Sequence, residues 1–155
     1  MNSKDYKIGL LKSYDYLSGY IEQADFCIYN KALGTHNFGC AVKEDTKIQV
    51  ESIIRLIRQK NQLLNIYNVL TKALNGVEEH ERKIIVWRYV KGVSVKQLMQ
   101  KLELNKGAYY DRINKALNNF EKILQKEGFD RGWFLENYST KRWFRRLIDF
   151  TNEAG

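Results

Sequence analysis

The stretch that decides the fold is residues 94–124, which read SVKQLMQKLELNKGAYYDRINKALNNFEKIL. Ser94 is a suitable N-cap, because its hydroxyl can accept a hydrogen bond from a free backbone N–H at the start of a helix. Residues 95–102 then predict a short helix with an apolar side made of Val95, Leu98, Met99 and Leu102. A tight turn at Glu103 and Leu104 is expected to end it.

Asn105 is the predicted N-cap of a longer helix, from residue 106 to about residue 125. Its apolar side chains recur at spacings of three and four, which places them on one face; they are Tyr109, Ile113, Ala116, Leu117, Phe120 and Leu124. The residues left facing outward near its N-terminal end are Lys106, Gly107, Tyr110, Asp111 and Asn114. A short helix, a tight turn and a longer helix with a polar N-terminal face form the geometry that places a recognition helix in the major groove.

Upstream of this stretch, residues 77–93 predict the first helix of the same unit. Glu78, Glu79 and Glu81 crowd the expected helix start, where carboxylates compensate the positive end of the helix dipole. The core candidates that follow are Ile84, Ile85, Trp87 and Tyr89. Lys91 and Gly92 are expected to end this helix.

The sequence of residues 81–117 resembles region four of sigma factors along its whole length, without a shift in register. This resemblance covers about one third of the chain. The family usually has a glycine in the turn, where this chain has Glu103, and glycine tolerates the strained dihedrals better. Helical arms followed by a region-four-like unit are similar to the ArpU/RinA group of phage and prophage late transcription regulators of Gram-positive bacteria. That resemblance implies control of late phage genes.

In this context we interpret part of the outward face as a base-reading surface. Lysine suits guanine acceptors and asparagine can bind adenine with two hydrogen bonds, so the candidates for contact with base edges are Lys106, Tyr110, Asp111 and Asn114, with Gly107 beside them. The candidates for phosphate contact, which positions a protein without reading sequence, are Lys96, Lys101, Arg112 and Lys115. The alternative is a solvated helix face with ordinary surface charges.

The N-terminal part of the chain predicts two long helices, residues 4–33 and 46–74, separated by a loop at residues 34–40. The stripe of the first helix is Leu10, Tyr14, Leu17, Ile21, Ala24 and Ile28. The stripe of the second is Ile53, Leu56, Leu63, Tyr67, Leu70 and Leu74, widened by Ile57 and Leu64 and interrupted by Lys60. Asn75 and Gly76 are expected to stop it through a left-handed glycine. The two arms either pack as a hairpin or pair between chains as a homo-oligomer.

The C-terminal segment interleaves aromatic and basic residues. If Thr140 caps a short helix, Trp143, Leu147 and Phe150 share one face. Three interpretations stay open: a helix folded back on the core, a partner surface for RNA polymerase, or an added DNA contact. Binding to a membrane surface also fits the basic amphipathic pattern but needs a larger apolar face.

The bulk properties exclude several classes of protein. The net charge of +8 favours a polyanionic partner, and Cys27 and Cys40 make neither a disulfide framework nor a zinc site. His36 and His80 lack metal-ligand companions in the sequence, and no nucleophile elbow or phosphate-binding glycine loop is present. With no signal peptide and no apolar run of membrane-spanning length, we expect a protein of the bacterial host cytoplasm that does not bind membranes.

We therefore predict an all-α protein that is not an enzyme and needs no metal or cofactor. Its expected divisions are an arm region at 1–76, a helix-turn-helix domain at 77–126 and a tail at 127–155. The expected function is regulation of transcription by binding double-stranded DNA. The alternative is a DNA-recognition subunit for phage DNA packaging, whose arms would build a ring.

Overall fold

The protein has an all-α fold, as the sequence predicts. The computed structural model describes residues 6–34 and 46–154, which contain no strand. The helices of the described residues are α1 (Tyr6–Leu33), α2 (Thr46–Gly76), α3 (Glu79–Ile85), α4 (Val95–Leu102), α5 (Lys106–Lys126), α6 (Arg131–Thr140) and α7 (Arg142–Ala154), with a π-helical segment at Val86–Val90 directly after α3. The expected loop at residues 34–40 lies, apart from Gly34, outside the described residues. None of the described helices is both long enough and apolar enough to cross a membrane.

The described residues form two compact units. One contains residues 16–67, and the other contains residues 6–15 and 68–154. The units are therefore not divided at residues 76 and 126, where the sequence favours boundaries. The second unit includes the start of α1, the end of α2, the helix-turn-helix and both C-terminal helices.

In the unit of residues 16–67, the two arm helices run antiparallel and contact each other. Lys60 forms an ion pair with Asp25, and the Gln49 side-chain amide donates a hydrogen bond of 2.8 Å to the Lys31 carbonyl. The apolar stripe of α1 faces inward here, with Leu17 and Ala24 buried. Lys60, which interrupts the stripe of α2, is thus accommodated by a carboxylate on the neighbouring helix.

In the second unit, the start of α1 packs among the end of α2 and α5. The hydroxyls of Tyr14 and Thr71 are 2.7 Å apart, and the Lys7 ammonium lies 2.5 Å from a Glu121 carboxylate oxygen. These contacts flank a core to which α1 and α2 contribute fully buried leucines and an alanine: Leu10, Leu11, Leu70 and Ala73.

Gly76 ends α2, but not through the left-handed backbone that the sequence predicts. The described glycines with positive φ are Gly92 and Gly128. A β-carbon at Gly76 would lie 2.7 Å from Cδ1 of Ile123 on α5. Gly76 thus lies against the end of the Ile123 side chain, a contact between residues far apart in sequence.

The C-terminal segment is part of the second unit's core. The rings of Tyr6 and Phe134 have centroids 5.8 Å apart, and Phe134 contacts Phe144 edge to face at 5.4 Å. Of the three interpretations of this segment, the helix folded back on the core is the one seen here.

One detail of the C-terminal prediction is wrong. Thr140 is the last residue of α6, and its hydroxyl donates to the Glu136 carbonyl rather than capping α7. The buried face of α7 consists of Phe144, Leu147, Ile148 and Thr151, whereas Phe150 is half exposed. The apolar residues of α7 cluster on one side of the helix, and the part of that side that packs inward is centred on Phe144, Leu147 and Ile148.

Candidate nucleic-acid interface

The helix-turn-helix begins with a capping box at α4. The Ser94 hydroxyl accepts a hydrogen bond from the Gln97 backbone N–H at 3.2 Å, and the Gln97 side chain accepts one from the Ser94 N–H at 3.4 Å. This reciprocal pair satisfies two backbone donors that the first turn leaves free. The loop before α4 is held by Gly92, whose φ of 71° belongs to the left-handed region. The predicted start of α4 is confirmed.

The turn between α4 and α5 depends on Glu103. Its backbone is left-handed, with φ 54° and ψ 43°, and it is the one non-glycine residue with positive φ in the described ranges. An L-residue in this conformation costs on the order of 1–2 kcal/mol, because its β-carbon approaches the following carbonyl oxygen. The chain therefore makes the turn for which the resembling family uses glycine, with a residue that is strained there.

Asn105 then caps α5, as the sequence predicts. Its side-chain oxygen accepts a hydrogen bond of 2.8 Å from the Ala108 backbone N–H. All six predicted inward side chains of α5 are buried: Tyr109, Ile113, Ala116, Leu117, Phe120 and Leu124. The register of the helix, and hence the direction of its opposite face, is confirmed.

The predicted base-reading residues all lie on the exposed face of the first half of α5. These residues, Lys106, Gly107, Tyr110, Asp111 and Asn114, are solvent exposed. Tyr110 is 43% exposed, and its ring meets the buried Tyr109 ring edge on at 5.2 Å. This contact steadies the exposed ring.

The predicted phosphate-contacting residues lie on α4 and α5, and all are exposed. Within the described ranges, no carboxylate forms an ion pair with Lys96, Lys106, Arg112 or Lys115. Lys101 differs, since its ammonium lies 4.2 Å from the centre of the Trp87 ring. Lys7, Lys60, Lys72, Lys83 and Lys91 are each paired with a carboxylate, whereas Arg55, Arg58 and Arg142, in other parts of the described chain, have no carboxylate partner either. The helix-turn-helix thus retains cationic side chains without anionic partners.

Helix α3 contacts α5 through a buried polar interaction that the sequence did not suggest. Glu81 is only 3% exposed and accepts a hydrogen bond of 2.7 Å from the Asn119 amide. It was expected to compensate the helix dipole, as Glu79 does from an exposed position. A hydrogen bond from Lys83 holds the pKa of Glu79 below its ordinary value. No local pattern distinguishes the buried carboxylate from the exposed one.

The π-helical segment after α3 was also unexpected. It places Arg88 so that its guanidinium donates to the Val93 carbonyl at 3.5 Å, linking the segment to the loop before α4. Burial raises the pKa of Tyr109, although the nearby Arg88 guanidinium opposes the rise. The Tyr109 hydroxyl itself is buried without a hydrogen-bond partner in the described part of the chain.

The side of α4 next to the turn bears an open concavity of about 780 Å³. It is lined by Val95, Lys96, Met99, Gln100, Glu103, Leu104 and Asn105. Its apolar floor offers contact area to an apolar group rather than to a phosphate. This surface lies on the same motif as the polar face of α5 but has a different chemistry.

His80 has carboxylate neighbours, contrary to the sequence-based expectation. Potential ligand atoms of Glu78, His80 and Glu81 lie within 4.8 Å of one another. The three residues lie close together because they are near one another in sequence, at the start of α3. One carboxylate oxygen of Glu81 is already hydrogen-bonded to Asn119.

Comparison of the chain with protein-family models, with curated proteins and with solved structures finds no match.

Proposed function

We propose that this chain binds double-stranded DNA, with the first half of α5 reading base edges in the major groove. The observation that carries the proposal is the division of α5 into a fully buried face and an exposed polar face directly after a capped, left-handed turn. In helix-turn-helix proteins, the N-terminal residues of the second helix contact base edges in this arrangement.

The distribution of charge supports the same proposal. Several cations of α4 and α5 lack ion-pair partners within the described residues. They lie close in sequence to the polar face of α5, and contacts between these cations and phosphates would fix the orientation of the helix on DNA. Asp111 adds a carboxylate on the exposed face, and a carboxylate can accept a hydrogen bond from cytosine N4. A mixed face of this kind suits base reading better than charge attraction alone.

As part of the proposal, the chain acts as a transcription regulator of phage or prophage type. The resemblance to the ArpU/RinA group supports this part, and it adds RNA polymerase as a further partner and the bacterial cytoplasm as the place of action. The exposed Arg142 and Arg146 of α7 are available for a contact with either polymerase or DNA, whereas Arg145 donates hydrogen bonds to the backbone carbonyls of Tyr138 and Ser139.

Selection of bound duplexes from a random pool tests the proposal. The expected result is a defined sequence motif that the purified chain binds more tightly than scrambled duplexes of the same length. Recovery of unselected sequences, or of no DNA at low salt, would contradict it. The position of the motif beside a promoter or at a packaging site separates regulation from packaging.

A further inference from the structure

The exposed apolar residues of this protein are concentrated in the unit of residues 16–67. Of the large hydrophobic side chains that are exposed in the described ranges, only Tyr110, Leu135 and Phe150 lie elsewhere. Those within the unit are Tyr16, Phe26, Tyr29, Leu33, Ile48, Val50, Ile54 and Ile57. The two arm helices pack against each other and leave a set of apolar residues uncovered, among them Ile57, which the sequence pattern places on the stripe of α2.

Most of this set lies on one side of the helix pair. The contacts of Asp25 with Lys60 and of Gln49 with Lys31 fix the facing sides of the antiparallel helices. Positions on each helix can be given as an angle of rotation about its axis, measured from the side that faces the other helix and increasing by 100° per residue toward the C-terminus. On this scale Tyr29 lies at about 120° on α1, and Val50 and Ile57 lie at about 80–100° on α2. Because the helices are antiparallel, the same sense of rotation leads to the same side of both.

We call this side the apolar flank; it consists of Tyr29, Leu33, Val50, Ile54 and Ile57, with Phe26 at its outer edge, about 180° round α1. Two of its members are aromatic and strongly exposed, Phe26 at 65% and Tyr29 at 62%. At these exposures the flank offers roughly 500 Å² of side-chain surface, so two copies brought face to face would bury about 1,000 Å², near the lower bound for a specific interface. Contiguous exposed apolar patches of this size on a protein mark interaction sites.

Two charged residues at the outer edges of the apolar flank fit a second copy of the same chain. Glu22 lies about 140° round α1 and Arg58 about 180° round α2, in the same sense as the flank residues. Both are exposed, and neither has an ion-pair partner in the described part of the chain. A two-fold axis parallel to the helices would bring α1 of one copy over α2 of the other, with Glu22 and Arg58 within reach of each other twice.

We propose that the apolar flank docks on the apolar flank of a second copy of this chain, with α1 lying over α2 of the partner. The four helices then bury Tyr29 and Ile54 at the centre and place the Glu22 and Arg58 pairs at the edges. This association does not depend on DNA binding. A chain that dimerises but binds no DNA would contradict the proposed function and leave the dimer intact.

Sedimentation equilibrium of the full chain tests the proposal, with Ile54→Glu as the disrupting variant. We expect the wild type to be a dimer at micromolar concentration, and the variant to dissociate at least about tenfold more readily, since a buried unpaired carboxylate costs more than the 1.4 kcal/mol of one decade. The matched control is Ile48→Glu, because Ile48 is as exposed, at 51% against 43% for Ile54, but lies on the opposite side of α2.

Three results would overturn the proposal: a monomeric wild type, a closed ring of many copies, or equal dissociation of the Ile54→Glu and Ile48→Glu variants. If Ile54→Glu loses helical circular dichroism, Tyr29→Ser gives the same test without adding a charge. The arrangement is tested by Glu22→Arg, which should weaken association, and by its combination with Arg58→Glu, which should restore it. A double variant as weak as the single one would overturn the placement of α1 over α2.

Discussion

Asn114 and Asn118 provide the sharpest test of base reading by single residues. Both are exposed asparagines on α5, one turn apart, with Asn114 nearer the N-terminal end that enters the groove. Asn114→Ala is expected to reduce discrimination between the selected and scrambled duplexes by about 1–3 kcal/mol, the value of a bidentate base contact. Because Asn114 is exposed, the melting temperature should stay within the range of ordinary surface substitutions.

The measurement pairs thermal melting with titration of both duplexes. Asn118→Ala is the matched control and should keep the selectivity of the parent. Unchanged selectivity of Asn114→Ala would show that the reading face is placed wrongly, whatever the outcome for binding itself.

Glu103 is the residue whose backbone the fold strains. Glu103→Gly is expected to stabilise the protein by on the order of 1 kcal/mol, because glycine adopts positive φ without a β-carbon clash. In a chain of this length that corresponds to a rise in melting temperature of roughly 2–4 °C. The measurement is thermal unfolding followed by circular dichroism.

The control for this substitution is Gln100→Gly, an exposed position inside α4. There glycine should destabilise by about 1 kcal/mol, because it gains nothing from positive φ and loses backbone entropy. If both variants melt below the parent, Glu103 is not strained in solution.

Among the elements, those with local signals could be predicted from the sequence. Ser94 and Asn105 cap α4 and α5 because a hydroxyl or amide meets the free N–H groups within three residues, and the buried face of α5 follows from its spacing. The contact of Gly76 with Ile123 could not be predicted, since Ile123 lies far along the chain. The π-helical segment and the burial of Glu81 likewise depend on packing between helices.

The C-terminal helices are expected to stabilise the unit that holds the helix-turn-helix. Phe134 on α6 is 1% exposed and contacts the rings of Tyr6 and Phe144. Phe134→Ala should therefore lower the free energy of unfolding by about 3–5 kcal/mol, through lost transfer energy and the cavity left behind. Chemical denaturation of the full chain measures this difference.

Leu135→Ala is the control for that variant, because Leu135 is the next residue on the same helix and is 44% exposed. It should cost far less than Phe134→Ala. Equal losses for the two variants would mean that α6 does not pack with the face described here.

At the scale of the whole molecule, the division into units could not be predicted from composition. The chain has no proline, and no flexible linker marks a boundary. The divisions at residues 76 and 126 follow the motifs, whereas the compact units follow contacts such as that of Tyr6 with Phe134, which joins both ends of the chain. The all-α class was predictable because the long segments at 10–28, 53–74 and 109–124 carry a helical period and no segment carries a strand period.

The net charge of +8 leads to the last prediction, which concerns salt. If Lys96, Lys101, Arg112 and Lys115 contact phosphates, binding releases about as many condensed counterions, and the logarithm of the association constant should fall with the logarithm of salt concentration with a slope of about −4. Lys115→Ala should weaken binding to selected and scrambled duplexes equally and make the slope shallower by about 1.

Lys126→Ala is the matched control, since Lys126 is an exposed lysine at the opposite end of the same helix, and it should leave the slope unchanged. Fluorescence anisotropy titrations at several salt concentrations measure both quantities. Equal slopes for the parent and Lys115→Ala would remove Lys115 from the interface, and a parent slope near zero would contradict a phosphate-binding role for the whole basic surface.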